Sequence, residues 1–387
     1  MNIIFYRYKS ICEPDYIDAF KKLGVTVIED NDGWDSSKKV PEKMVTLGEM
    51  IAEYTPLFVF SINFFPFISM VCERLRLKYV AETVDCPVTE IYTNAIRSEY
   101  NRVFLFDRKQ YESLSKITPQ SVRYLPLGAA AERTTSLLGN TDDYKYDVSF
   151  VGSLYNEKDP YLDLDLDDSY KERFEEMIRS QISECSFGLE YVEKVFTKDD
   201  VEKIKSLDSS FHSTSDSVIY MDLFVAINEY IGPHIAYLER LDILNEIAEK
   251  TDDIHLFTLS KEPKLSSKIK LHKGAKSFTE MPFVFRQSKI NLNITMRSIQ
   301  TGIPQRVWDV LACKGFLITN DQPEISDYFE AGKHLEVYKD KEELLDKIDY
   351  YLKHDKEREK IAENGYNEVC QNHLILLRVI NMIKNLE

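Results

Sequence analysis

The chain has 387 residues, 43% of them hydrophobic, and a formal charge of −16 at pH 7. That length exceeds what one compact core usually holds, so two domains are expected, and the acidity argues against nucleic acid or anionic lipid as a partner. The apolar residues fall in short runs such as 57–62, none near the roughly 20 needed to cross a bilayer. Met1 leads straight into a strand-like segment, 2–6, with no charged and apolar leader, so a soluble cytoplasmic protein without a transmembrane segment is expected. Cys12, Cys72, Cys86, Cys185, Cys313 and Cys370 are scattered singly, a spacing that suits neither a metal clip nor a disulfide framework.

Short β-branched or aromatic runs at 2–6, 25–29, 57–61, 78–83, 102–106 and 122–125 alternate with helical stretches. That rhythm is βαβ and predicts a parallel sheet. A polar stretch, 132–145, has the composition of a linker. A second series follows at 146–151, 254–258, 269–272, 290–293, 316–319 and 335–338. The expected division is a first domain of 1–140 and a second of 141–387. Inside the second, about 156–230 is acidic, mainly helical and too long for an ordinary strand-to-helix loop, so an inserted helical subdomain is expected. Three helical patterns close the chain at 342–352, 357–370 and 375–386, the last expected to pack back across the domains.

Ligands of open parallel sheets sit beyond the carboxyl ends of the strands, which makes the loops after the strands the places to look. After the strand 290–293, the segment 304–314 is a short helix with Pro304 suited to its first turn and Gly315 to the position past its end. Val307, Val310 and Leu311 share one face, and Arg306 and Asp309, three apart, share another. A helix start preceded by Gly302 suits a pyrophosphate. Arg297 and Arg306 could add charge-assisted bonds, and Asp309 could accept from two ribose hydroxyls; the alternative is an Arg–Asp surface pair. Gly152 and Ser153 follow the strand 146–151 and offer a close backbone approach and a hydroxyl for phosphate, or simply a turn. Arg240, on the helix 235–250 with its stripe of Leu238, Leu241, Leu244 and Ile247, reaches a phosphate or lies on a solvated face.

In the first domain Asp85 follows the strand 78–83 and could deprotonate or orient an acceptor hydroxyl, or cap a turn. Asn63 could bond a sugar hydroxyl, while Phe64 and Phe65 suit the core. Asp163-Leu164-Asp165 has the look of a metal-binding pair, but it lies in the acidic stretch 159–168 rather than after a hydrophobic strand, which favours a solvated face. His212, His234, His255 and His272 show no ligand spacing, and no metal is expected.

Taken together, FVFSINFFP (58–66), VDCP (84–87), NRVFLFD (101–107) and YLPL (124–127), with DVSFVGS (147–153), SKINLNI (288–294), RSIQTGIP (297–304) and RVWDVLACKGF (306–316), resemble the CgeB-like glycosyltransferases, named for a spore maturation protein, of the GT-B architecture. The resemblance covers nearly the whole chain. It implies two Rossmann-like domains facing across a cleft, with a nucleotide-sugar donor, expected to be a UDP-sugar, bound at the second domain; the residues expected to hold it, from their own places in the sequence, are Gly152, Ser153, Arg240, Arg297, Thr301, Gly302, Ile303, Arg306 and Asp309. Asp309 matches the ribose-binding acid of the wider family's E-x7-E element, whereas Thr301 stands at its first acidic position. The implied activity is hexosyl or N-acetylhexosaminyl transfer to a surface glycan or a protein such as flagellin, without cofactor or metal; the resemblance gives no catalytic base, and catalytic roles for Arg306 and Asp85 are expected from their own positions in the sequence. An epimerase on the same fold and a non-catalytic nucleotide-sugar-binding or assembly protein are the alternatives.

Overall fold

The computed structural model describes residues 1–141, 143–184 and 187–386; Cys185 lies outside them. The chain divides into two compact units, one of residues 1–128, 214–219 and 373–387 and one of 129–213 and 220–372.

The first unit alternates β1 (Asn2–Tyr6), α1 (Glu13–Lys22), β2 (Thr26–Asp30), α2 (Val40–Tyr54), β3 (Phe58–Ile62), α3 (Pro66–Leu75), β4 (Lys78–Glu82), β5 (Asn101–Leu105), α4 (Arg108–Ser115) and β6 (Val122–Tyr124). All six strands run parallel, in the order β2-β1-β3-β4-β5-β6. β3 and β5 are buried along their whole length, as expected of strands covered on both faces. In α1, Pro14 sits in the first turn, Glu13 and Asp15 lie at the start and Lys21 and Lys22 at the end, an arrangement matched to the helix dipole.

The second unit opens with α5 (Ala131–Leu138) and β7 (Tyr146–Val151), followed by α6 (Asp168–Glu184), α7 (Glu190–Val195), α8 (Lys198–Leu207), α9 (Met221–Val225) and α10 (Gly232–Lys250). Then come β8 (Ile254–Phe257), β9 (Lys270–His272), α11 (Met281–Arg286), β10 (Ser288–Asn293), α12 (Gln305–Ala312), β11 (Leu317–Asn320), α13 (Ile325–Tyr328), β12 (Glu336–Tyr338), α14 (Lys341–Lys353) and α15 (Asp355–Asn372). The strand order is β12-β11-β10-β7-β8-β9, again all parallel. Val148, Phe150, Ile290, Leu292 and Ile318 form its core with Leu244, Ile247, Leu344 and Ile348 from α10 and α14. On α12, Val307, Trp308 and Leu311 are fully buried. Gly365 of α15 is needed where it stands, because a Cβ there would lie 2.2 Å from the His334 carbonyl oxygen and 2.8 Å from Leu311.

The final helix, α16 (Ile375–Lys384), belongs to the first unit and packs on α1. A Cβ on Gly128 would come within 3.0 Å of the Ile375 nitrogen, and Arg378 donates to the Leu127 carbonyl at 3.0 Å. Two features differ from expectation. The polar composition of 132–145 hides α5, whose Thr134 hydroxyl donates to the Ala312 carbonyl at 2.8 Å. The inserted helices are also interrupted: residues 214–219 group with the first unit, where the Val218 amide donates to the Tyr92 carbonyl at 2.8 Å and the Asn94 side chain to Asp216 at 2.7 Å.

Glu82, at the end of β4, is completely buried. Burial pushes its carboxyl up to about 8, against the pull of the Tyr16 hydroxyl and the Arg378 guanidinium. Its folded-state value therefore lies above the roughly 4.3 of an unfolded glutamate, so its contribution to stability is fully present below that pH and is lost as pH rises through about 8. Glu82→Gln should flatten the fall in stability across this window in urea melts at graded pH. Parallel curves for parent and variant would contradict a neutral Glu82.

Candidate functional site

In the second unit the strand order reverses between β7 and β10, the position at which open α/β sheets bind ligands beyond the strand ends. The two strands pair with Phe150 beside Leu292, so the bend at Gly152 and the loop leading to α12 start as neighbours. Arg240 ties them together. From α10 its guanidinium donates to the Ser153 carbonyl at 2.6 Å and the Ile294 carbonyl at 2.7 Å, with Tyr155 stacked against it at 4.6 Å. Tyr155 takes a left-handed backbone, φ 73°, a strained conformation of the kind that clusters at functional positions.

The solvated alternative for Arg240 is overturned, since the residue is 8% exposed. Among the described residues its Nε has no partner, and the neighbouring Glu239 is bonded to Arg297. Burial pushes the Arg240 pKa down, as does the nearby Arg306 charge, while Tyr155 and Glu239 oppose the shift. A guanidinium nonetheless keeps its proton. A desolvated cation bonded only to neutral carbonyls is costly unless a counter-charge arrives.

On α12, Arg306 and Asp309 lie 3.4 Å apart, both about a quarter exposed. The other Asp309 oxygen accepts from Gln305 at 2.9 Å. Arg306 also reaches Met281 Sδ at 2.8 Å and sits 5.1 Å from the Phe285 ring; burial pushes its pKa down and Asp309 opposes this. Pro304 is the residue before the helix, with extended backbone at ψ 155°, rather than part of the first turn. At the other end the left-handed residue is Lys314, φ 55°, not Gly315. Gly315 serves close packing instead, since a Cβ would meet Asn291 at 2.8 Å and the Phe285 carbonyl at 2.9 Å.

Several expected contacts are already used within the protein. The Gly152 amide donates to the Phe257 carbonyl at 3.1 Å. The Ser153 hydroxyl donates to Glu157 at 2.5 Å and accepts from the Tyr155 amide at 2.7 Å. Arg297 lies with Glu239 in a two-bond pair at 2.9 and 2.6 Å, 7% exposed. Thr301 donates to Glu324 at 2.7 Å, so a buried carboxylate from the segment after β11 stands beside the position where the sequence lacks one. Gln322 donates to the carbonyls of Ile299 and Gly302, both at 3.2 Å. Ile303 is buried, and its carbonyl accepts from Trp308 at 3.4 Å. Glu239, Gln322 and Glu324 were missed because their roles come from long-range contacts; the only local signal was that Glu239 directly precedes Arg240.

In the first unit Asp85 is exposed and accepts from Asn63 at 2.7 Å. Asn63, left-handed at φ 55°, also donates to the Tyr8 hydroxyl at 2.8 Å and accepts from the Val84 amide at 3.0 Å. It therefore holds the loop that presents Asp85. Phe64 is core, at 1% exposure, and Phe65 is half-buried. Asp163 and Asp165 are exposed. Among the described residues there is no cluster of three metal-ligating side chains and no helix long and apolar enough to cross a membrane.

A family profile described as glycosyl transferase-like matches residues 242–384. No curated protein matches the sequence. Among solved structures, sucrose-phosphate synthase from Thermosynechococcus elongatus is 8% identical, with 99% of this chain and 98% of that one covered and a TM-score of 0.54. Anabaena HepE in complex with UDP is 10% identical over 100% and 99%, with a TM-score of 0.52. The same protein with UDP-glucose is 11% identical over the same shares, also at 0.52. At these identities the likeness is one of fold: two six-stranded parallel sheets as in GT-B glycosyltransferases.

If Arg297 holds Glu239 rather than a ligand, Arg297→Ala should cost about 3–5 kcal/mol by leaving a carboxylate unpaired, and Arg297→Met with Glu239→Leu should recover most of it in denaturant melts. A stable Arg297→Ala chain with weakened nucleotide binding would instead assign Arg297 to the ligand.

Proposed function

We propose that this chain is a CgeB-like glycosyltransferase that moves a hexosyl or N-acetylhexosaminyl group from a UDP-sugar to an acceptor hydroxyl on a surface glycan or protein. The observation that carries this reading is Arg240, a buried cation that among the described residues is bonded only to carbonyls, at the point where the second sheet reverses. It calls for an anion beside the ends of β7 and β10. The start of α12 and Arg306 add positive potential on the same side, and HepE, which shares the fold, binds UDP and UDP-glucose.

In this reading the diphosphate lies over the Gly152–Ser153 bend and the start of α12. The bond from the anomeric carbon to the diphosphate breaks while one to the acceptor oxygen forms, and the acceptor proton passes to a base, for which Asp85 is proposed. Arg306 stabilises the charge that grows on the leaving diphosphate. Reaching that charge means turning from Met281 and Asp309, which frees Asp309 to accept from the ribose hydroxyls. The hydroxyl of Ser153 faces Glu157, so the contribution of that bend is its backbone.

Calorimetry with UDP and a panel of UDP-sugars, followed by an assay of donor turnover, tests the proposal. Arg306→Ala should lower kcat by about a hundredfold or more with a smaller change in UDP affinity; unchanged turnover removes Arg306 from the chemistry. Isomerised sugar formed without acceptor would mark an epimerase, and UDP-sugar binding without turnover under any acceptor would mark a binding protein. Because arginines and a helix start supply the positive charge, activity is expected to persist in excess EDTA, and its loss there would refute metal independence.

A further inference from the structure

Two arginines stand where strands begin in the first unit, at the end of the sheet opposite to Asn63 and Asp85. Arg102 lies on β5 and Arg123 on the edge strand β6. Arg123 is in register with Phe104, two residues after Arg102, so both arginine side chains leave the sheet on one face. Arg102 Nη1 donates to the carbonyls of Glu99 at 2.9 Å, Asn101 at 2.7 Å and Gln120 at 3.5 Å. Arg123 Nη1 donates to those of Pro119 at 3.0 Å, Gln120 at 3.2 Å and Val122 at 2.8 Å. Two cations thus share the Gln120 carbonyl.

Among the described residues neither arginine has an acidic partner. Glu99, whose carbonyl Arg102 holds, is exposed and pairs with neither. Arg97 and Lys116 border the same loop, exposed and without an ion pair among the described residues. Burial holds the Arg102 pKa below its ordinary value, and the Arg123 charge lowers it further; a guanidinium nonetheless keeps its proton. A chain of net charge −16 therefore gathers unneutralised positive charge here. Fastening the loop does not require it, because neutral groups already do so. The Thr118 hydroxyl donates to the Ile96 carbonyl at 3.5 Å, the Gln120 amide to that of Arg97 at 3.1 Å and the Ser121 hydroxyl to that of Ser98 at 2.9 Å. Arg102 is 9% exposed and its Nε is buried, whereas the Nη2 groups of both arginines have no partner among the described residues and are not enclosed.

We propose that Arg102 and Arg123 form, through their Nη2 groups, a binding site for a phosphate group, separate from the site proposed for the nucleotide-sugar. Like-charged guanidiniums bonded only to carbonyls are costly until a counter-charge arrives. A carboxylate brings one negative charge and would leave one arginine uncompensated. A phosphate monoester brings nearly two, with enough oxygens to meet two guanidinium edges. The loop is already fastened, so little ordering opposes binding. The phosphate belongs to a soluble ester or to a lipid headgroup, and the two are separable by experiment.

Modification of the intact chain by phenylglyoxal, mapped to individual arginines by peptide mass with UDP in excess, tests this. Inorganic phosphate should slow the modification of Arg123 saturably and leave Arg179, exposed on α6, unchanged. By calorimetry under the same conditions, Arg123→Gln should weaken phosphate binding roughly ten- to hundredfold; should that variant fail to fold, protection of Arg123 in the parent chain decides alone. Protection by inorganic phosphate identifies a soluble ester, and protection confined to vesicles of phosphatidylglycerol identifies a headgroup. No protection from either, or equal protection from sodium chloride at the same ionic strength or from phosphatidylcholine vesicles, overturns the proposal. The readout lies in the first unit and needs no turnover, so failure of donor binding counts against the transfer reaction alone.

Discussion

One buried guanidinium organises the second unit's site. Arg240 reaches from α10 to the carbonyls of Ser153 and Ile294, the residues at which the chain leaves β7 and β10. Parallel strands end with outward carbonyls that the ladder no longer satisfies, and at the reversal of strand order no crossover covers them. Arg240 satisfies two of these groups at once. In doing so it brings a full positive charge under the loops, where the Arg306 charge is also felt. The geometry of the loops and the potential above them are thus set by the same side chain.

The loop after β10 is fastened from several sides. Asn320 accepts from the Thr295 amide at 2.8 Å, Gln322 bonds the Ile299 and Gly302 carbonyls, and Glu324 takes the Thr301 hydroxyl. From the other side, a Cβ on Gly232 of α10 would lie 2.8 Å from the Ser298 hydroxyl oxygen. A segment held this closely presents a preorganised surface, which lowers the ordering cost of binding.

The first unit solves a related problem with an amide instead of an arginine. Asn63, directly after β3, bonds the Val84 amide, Asp85 and Tyr8. It fixes the loop after β4 and leaves the carboxylate of Asp85 at the surface. Asparagine tolerates the left-handed backbone that this position requires, which a β-branched residue would not. Its role is to hold a neighbouring group in place, and its own amide is fully occupied by doing so.

The strands, their parallel arrangement and the division into two α/β halves were legible in the sequence, because buried parallel strands need continuous apolar runs and the intervening helices need a 3.6-residue period. The spacing of Arg306 and Asp309 on α12 was legible for the same reason. The sequence alone did not reveal that Arg240 is buried, that Arg297 belongs to Glu239, that Ser153 faces Glu157, or that Glu324 stands beside Thr301. These pairings join residues 4, 23, 58 and 87 positions apart, and all but the first depend on which strand ends lie side by side. Composition likewise concealed α5, whose polar face is exposed while Ala131, Thr134 and Leu138 are buried. Local periodicity determined which elements form; the order of strands in each sheet decided which side chains meet, because hydrogen bonds and ion pairs act over a few ångströms in space and carry no mark along the chain.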